Sequence, residues 1–284
     1  MTITGVILVA ANVSLGMTML CAGMGGLAGD TTYLLRRRGL LLRSLLSMSV
    51  LQPLFALWLC FAYDLPASAK LALLVIAVSP MPPLLPTGVL KVRGNRAFEV
   101  SLSYFTSILA IVLLPAWLWL FDRVLAVPLH VDFVVVARIV ATSVLLPVCA
   151  GIGLRRLSAE TSARAVTPLT IGALGILVLV LVALAIESWP AVSQLAGGET
   201  AMAIALLTVV GLVVGHVCGG PARKDRRVLA MSTALRHPAL AVAIGASAFP
   251  DERIGGVAIV LSVLFGCVAT APYISLSRFT LPRP

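Results

Sequence analysis

Arg236 and His237 stand side by side in an otherwise apolar run that reads Ser232-Thr233-Ala234-Leu235-Arg236-His237-Pro238. A guanidinium presents five N–H donors in a planar fork that suits carboxylates and related anions. Putting such a charge in the middle of an apolar helix costs about 2.5–3.5 kcal/mol on insertion scales, so it is read as functional by default. Three readings stay open for Arg236. It holds neighbouring backbone together as a fixed cation, it binds an anion through its fork, or its stem runs back to a polar interface. His237 titrates near neutral pH and can carry a proton, but the adjacent Arg⁺ disfavours its charged form and favours a neutral hydrogen-bonding role.

A second interrupted run reads Ser79-Pro80-Met81-Pro82-Pro83-Leu84-Leu85-Pro86-Thr87-Gly88. Proline removes an amide donor and clashes with the preceding turn, so this density of proline forbids a regular helix. Carbonyls survive and amides do not, which limits what the segment offers an anion. The N–H groups of Thr87 and Gly88 remain, at the expected start of a second half-helix. Within hydrocarbon, broken backbone persists only when buried in protein or lining a wet cavity.

Other chemistries find little support. No acid lies in the middle of an apolar run. Glu99 comes closest, and it reads as a surface partner for Arg93 or Arg96. The five cysteines show no metal or disulfide spacing and read as small apolar packing residues. No nucleotide loop, zinc motif or nucleophile elbow stands out. An enzyme, a resident metal and a cofactor are therefore not expected. His130 falls in a loop, and His216 near a span end. The four tryptophans, Trp58, Trp117, Trp119 and Trp189, read as an interfacial belt. Pro53, Pro115, Pro147 and Pro272 read as simple kinks.

The elements that must position these residues are apolar helices. The chain is 60% hydrophobic and 11% charged over 284 residues, with a mean hydropathy of +1.07. A soluble domain carries about 25% charged residues. The expectation is an all-α polytopic membrane protein with nine spans: 3–24, 40–61, 71–90, 97–120, 133–153, 168–188, 200–219, 229–249 and 254–276. The first is read as a retained helix, not a cleaved leader, because no basic segment precedes it. Of the 21 Lys and Arg residues, sixteen fall in loops on one side. Lys70, Arg123, Arg138 and Arg253 fall on the other, and Arg236 lies inside a span. This bias places the basic side in the cytoplasm, so the N-terminus is expected outside and the C-terminus inside an inner membrane. The net charge of +10 is thereby explained by loops beside a lipid bilayer, and no nucleic acid is implied.

The two interruptions fall in the third of spans one to four and the third of spans six to nine, and these run in opposite directions. That pattern predicts an inverted repeat, with a first, shortened half over residues 1–127 and a second over 128–284. A pair of interrupted segments in matching places is the best sequence pointer to a transporter's binding site.

At these residues the chain resembles the bile acid:sodium symporter family and its wider relatives. Pro80 and Gly94-Asn95 keep the spacing of the family's first broken helix, and Leu240-Ala241 that of its second. The resemblance implies two inverted repeats, a panel and a core domain, and two unwound helices that cross beside the substrate. It also implies where the chain departs. The family's Gly-Gly falls on Met81-Pro82 and its Ser-Asn on Leu85-Pro86. Its Glu falls on Ser232 and its Gln-Asn on Arg236-His237. Among these, the lost Glu, Asn and Gln are the family's sodium ligands. Gln52 and the hydroxyls of Ser103, Thr106 and Ser107 remain where polar residues are expected.

The expectation is a secondary transporter moving a small organic anion by alternating access, with sodium coupling weakened or absent. The candidate site comprises Pro82, Pro83, Pro86, Thr87, Gly88, Ser232, Thr233, Arg236, His237 and Pro238, with Gln52, Ser103, Thr106 and Ser107. The alternative is a non-transporting membrane sensor or assembly protein on the same fold. A homo-oligomer is left open.

Overall fold

Prolines and caps decide where the helices stop. The computed structural model describes residues 3–25, 32–81, 94–125, 132–187, 189, 198–249 and 254–279. Every regular element among them is helical. The helices are α1 (Ile3–Gly25), α2 (Tyr33–Arg36), α3 (Arg38–Leu45), α4 (Gln52–Ala62), α5 (Ala67–Val78), α6 (Arg96–Val124) and α7 (Phe133–Val140). They continue as α8 (Leu146–Leu157), α9 (Ala159–Glu187), α10 (Glu199–Cys218), α11 (Arg223–Ala234), α12 (Pro238–Ala248) and α13 (Ile254–Phe279).

A π-helical turn, Leu46–Leu51, joins α3 to α4, and another, Ala141–Leu145, joins α7 to α8. Pro53 and Pro147 follow these turns directly, so two of the expected kinks are π-bulges. Among the described residues, eight stretches are long and apolar enough to cross a membrane, with Ala67–Val78 as a shorter apolar helix. The eight correspond to eight of the nine expected spans; the other, 71–90, is described only as far as Met81, and its helix, Ala67–Val78, is shorter than a membrane span. The sixth span starts earlier than its apolar run because Ser158 is extended (φ −150°, ψ 94°) and Glu160 pairs with Arg164 (2.6 Å) in a polar first stretch of α9.

α1 packs against α8 and α9, α10 against α11, and α13 against α10 and α5. Two contacts bring backbone onto backbone. A Cβ on Gly23 would strike the Val148 carbonyl of α8, and one on Gly151 would strike the Leu20 carbonyl of α1. The turn from α10 into α11 needs Gly219, since a Cβ there would collide with Arg226, and Gly220, which adopts φ +78°. The main core gathers α5, α12, the first half of α13 and the inner stripes of α1 and α10.

Candidate functional site

Two helices end midway through the bundle, and their ends meet. α5 stops at Val78 because Ser79 turns to ψ 145° ahead of Pro80. α11 stops at Ala234, and Leu235 (φ −101°, ψ 103°) and His237 (φ −80°, ψ 107°) are extended. Pro238 then opens α12 at a position where a missing N–H costs nothing. The breaks are tied directly, the His237 N–H donating to the Pro80 carbonyl at 3.0 Å.

Arg236 fills the angle between them and is only 8% exposed. Its Nη1 donates to the Ser79 carbonyl (2.9 Å), its Nη2 to the Met48 carbonyl (2.6 Å) and its Nε to the Thr233 carbonyl (3.2 Å). Ser79 and Thr233 lie at the C-terminal ends of α5 and α11, where unpaired carbonyls concentrate partial negative charge. The guanidinium therefore sits where two helix dipoles both favour a cation. Among the described residues no carboxylate pairs with it. The side chain turns inward and bridges backbone, which rules out a stem running back to the interface.

The Met48 carbonyl is free for a reason written in the chain. The Gln52 N–H bonds back to Ser47 in the π register. The next donor in that register would be Pro53, which has none, so Met48 is left to Arg236. One residue on, the Ser49 carbonyl accepts from the Trp117 indole at 2.9 Å. Trp117 thus ties α6 to the bulge. Trp58, Trp119 and Trp189 are exposed.

His237 is fully buried, and its Nε2 lies 2.8 Å from the Thr18 hydroxyl of α1. Its Nδ1 has no hydrogen-bond partner among the described residues. Thr233 meets Ser47 hydroxyl to hydroxyl at 3.0 Å. The Gln52 amide donates to the Leu207 carbonyl (2.9 Å). Ser103 and Ser232 are buried with unpartnered hydroxyls among the described residues. Thr106 bonds to its own helix at Leu102 (2.9 Å), and Ser107 reaches the Met19 sulfur at 3.5 Å. Pro82, Pro83, Pro86, Thr87 and Gly88 lie outside the described residues. The expectation for Glu99 is corrected: it is wholly buried on α6, not at a surface. Sequence reasoning missed Thr18, Met48 and Trp117. Of these, only the orphaned carbonyl beside Pro53 left a readable signal.

A cavity of about 460 Å³ lies beside the crossing. Arg236 and Pro238 form part of its wall, with Gln52, Leu207 and Thr208 behind and α9 and α13 in front. Of the described sequence candidates, three line it: Gln52, Arg236 and Pro238. Its surface is chiefly apolar.

A second polar cluster lies where α6 and α11 begin. Asn95 caps α6, its side chain accepting from Phe98 N–H. Its amide donates to the Tyr33 hydroxyl (2.6 Å) and to Asp225 (2.9 Å). Arg37 completes the set, 3.6 Å from the buried Asp225 carboxylate and 4.6 Å over the Tyr33 ring. Burial, and then the Asp225 charge, push the Tyr33 phenol above its ordinary pKa.

The profile described as the Sodium Bile acid symporter family matches residues 12–194, from α1 through the first break to the end of α9. The second break and Arg236 fall beyond the matched stretch. No curated protein matches the chain.

Proposed function

The chain belongs to the sodium bile acid symporter family, and from that premise we propose a secondary transporter that moves a small organic anion by alternating access, with sodium coupling weakened or absent. Arg236 is the reason for the last clause. In discontinuous transporter helices, C-terminal carbonyls of the half-helices hold the coupling cation. Here a guanidinium covalently part of the chain meets carbonyls from both breaks and from the π-bulge. A cation that cannot leave stabilises the crossing permanently and removes the need for an ion that comes and goes.

The same geometry supports a division of labour. α1, the α7–α8 pair and α9 form the panel. The remaining long helices form the core around the crossing, and residues 1–127 and 128–284 are the two inverted halves. The Asn95 face is cytoplasmic, following the loop charges. The cargo occupies the cavity beside Arg236. Three of the five guanidinium N–H groups already serve carbonyls. An anionic group would therefore use the two left over and the free amides opening α12. The commitment of those three donors is also what favours the alternative of a non-transporting sensor or assembly protein.

Arg236 bridging both breaks is the observation that carries the reading. Purified protein is screened by thermal shift against small carboxylates and sulfonates, in sodium and in choline, and hits are tested for uptake into proteoliposomes. A carboxylate or sulfonate that raises Tm equally in both salts and is then accumulated is the expected result. Binding that needs sodium removes the built-in-cation claim, and binding without uptake leaves the sensor.

A further inference from the structure

Apart from the two spare N–H groups of Arg236, at one end, the cavity wall offers a polar guest almost nothing. Thr208, Ser262 and Thr270 donate to carbonyls of their own helix (2.9, 2.7 and 2.6 Å). Gln52 donates to Leu207 and Arg236 to the crossing. Among the lining polar side chains, the acceptor Gln52 Oε1 is the one unpartnered buried atom. A water needs two to four polar partners to be held in a cavity. This wall suits hydrocarbon.

Its mouth also faces hydrocarbon. α13 is buried nearly all round from Gly255 to Leu261, then opens to one side from Ser262 onward. α9 presents a single buried stripe, Ser162–Val166–Thr170–Ala173–Leu177–Val180, along α1. Between the two helices the cavity is lined by Val178, which is 57% exposed, and by the exposed Cys267 and Ala271. Val178 and Cys267 lie well inside membrane-length helices, and Ala271 lies one turn further along α13. The surface beside them continues as lipid-facing Ile171, Leu179, Leu264 and Val268. An apolar recess that opens sideways at that depth is in contact with acyl chains, not with water.

We propose that this cavity is an acyl-chain site, filled from the side by the tail of a bilayer phospholipid that passes between α9 and α13. The cavity's size, about 460 Å³, lies in the range of small-molecule pockets. The tail reaches the wall formed by Pro238 and Arg236. If the cavity is also the cargo site, a clause that rests on the transporter reading, the tail and the cargo exclude one another, and lipid composition sets the apparent affinity for cargo.

The test needs no cargo. The full chain is reconstituted in nanodiscs of phosphatidylcholine and phosphatidylglycerol doped with a phosphatidylcholine carrying a mid-chain diazirine, irradiated, and mapped by peptide mass spectrometry. The site predicts adducts on Leu174, Leu177 and Val263, in addition to those on outward-facing Leu179 and Val268. Ala271→Trp, which plugs the mouth at an exposed position, removes the inner adducts and leaves the outer ones. Leu264→Trp on the outer face changes neither set. Adducts confined to outward-facing residues, or inner adducts that persist in Ala271→Trp, overturn the site. In a second arm, the irradiation is repeated with a carboxylate or sulfonate that raises Tm; inner adducts it leaves undiminished overturn only the shared-cavity clause.

Discussion

The crossing and the Asn95 cluster both bury charge, and they neutralise it by opposite means. At the crossing, Arg236 meets only carbonyl dipoles, drawn from three separate pieces of backbone. At the Asn95 cluster, Asp225 meets an amide and a guanidinium whose side chain is 55% exposed. Carbonyl dipoles at helix ends cannot move without moving the helices, so the first arrangement is a fixed strut. An exposed arginine can swing into water at little cost, so the second is a latch. A fixed contact belongs where the chain is broken, and a releasable one where helices meet at a face.

Arg236→Ala breaks this contrast most severely. Each bond lost to a charged donor, with its carbonyl left unpaired, costs about 1–3 kcal/mol. Removing a buried charge returns about 2.5–3.5 kcal/mol. Thermal stability should therefore change by no more than a few kcal/mol, while uptake in well-expressed protein is abolished. Arg236→Lys keeps the charge but presents one compact head to three carbonyls, and should recover only part of the activity. Unchanged uptake in both variants would show the strut to be idle.

Pro53→Ala comes next. It returns an amide to the bulge, allows the Met48 carbonyl a helical partner and takes one bond from Arg236. Thermal stability should hold or rise, while uptake falls several-fold, on the order of the 1–1.5 kcal/mol of one hydrogen bond. A parallel fall in both readings would mean that the bulge serves folding alone.

Asn95→Ala removes the α6 cap and both side-chain bonds of the latch. A cap is worth about 1 kcal/mol, so thermal unfolding should drop by an amount of that order, with faster amide exchange at Phe98. Arg37→Ala is the mildest change. An ion pair this exposed is worth about 0–1 kcal/mol, and high salt should erase even that difference. If Arg37→Ala outweighed Asn95→Ala in unfolding measurements, the latch would be ionic, contrary to its geometry.

The sequence makes the helices legible, and both breaks announce themselves through proline. Ser79 and His237 precede prolines and leave the helical region for that reason. Arg236 stands out because charge is rare in an apolar run. Its partners do not, because they are backbone carbonyls, which carry no residue-type signature. Ser47 and Met48 come to Arg236 and Thr233 only through packing between distant helices. Glu99 was misread for a similar reason. A carboxylate near a helix start suggests solvent, yet its neighbours Phe98 and Leu102 face a buried cluster with Val228 and Leu229. Trp117 shares a span end with Trp119, and only the fold tells the half-buried donor from the exposed ring.

The touching backbones of Gly23 and Gly151 carry a mechanical consequence. Where two helices meet without an intervening layer of side chains, nothing between them can repack to absorb a slide or a roll. α1 and α8 must travel as one plank, and the long contact of α1 with α9 adds a third board. Among the described residues, the Thr18–His237 contact, the Ser107–Met19 contact and the bond from the Tyr104 hydroxyl to the Gly23 carbonyl pin that plank to the rest of the molecule. A plank fastened this way could rock against the rest only by releasing these side-chain bonds.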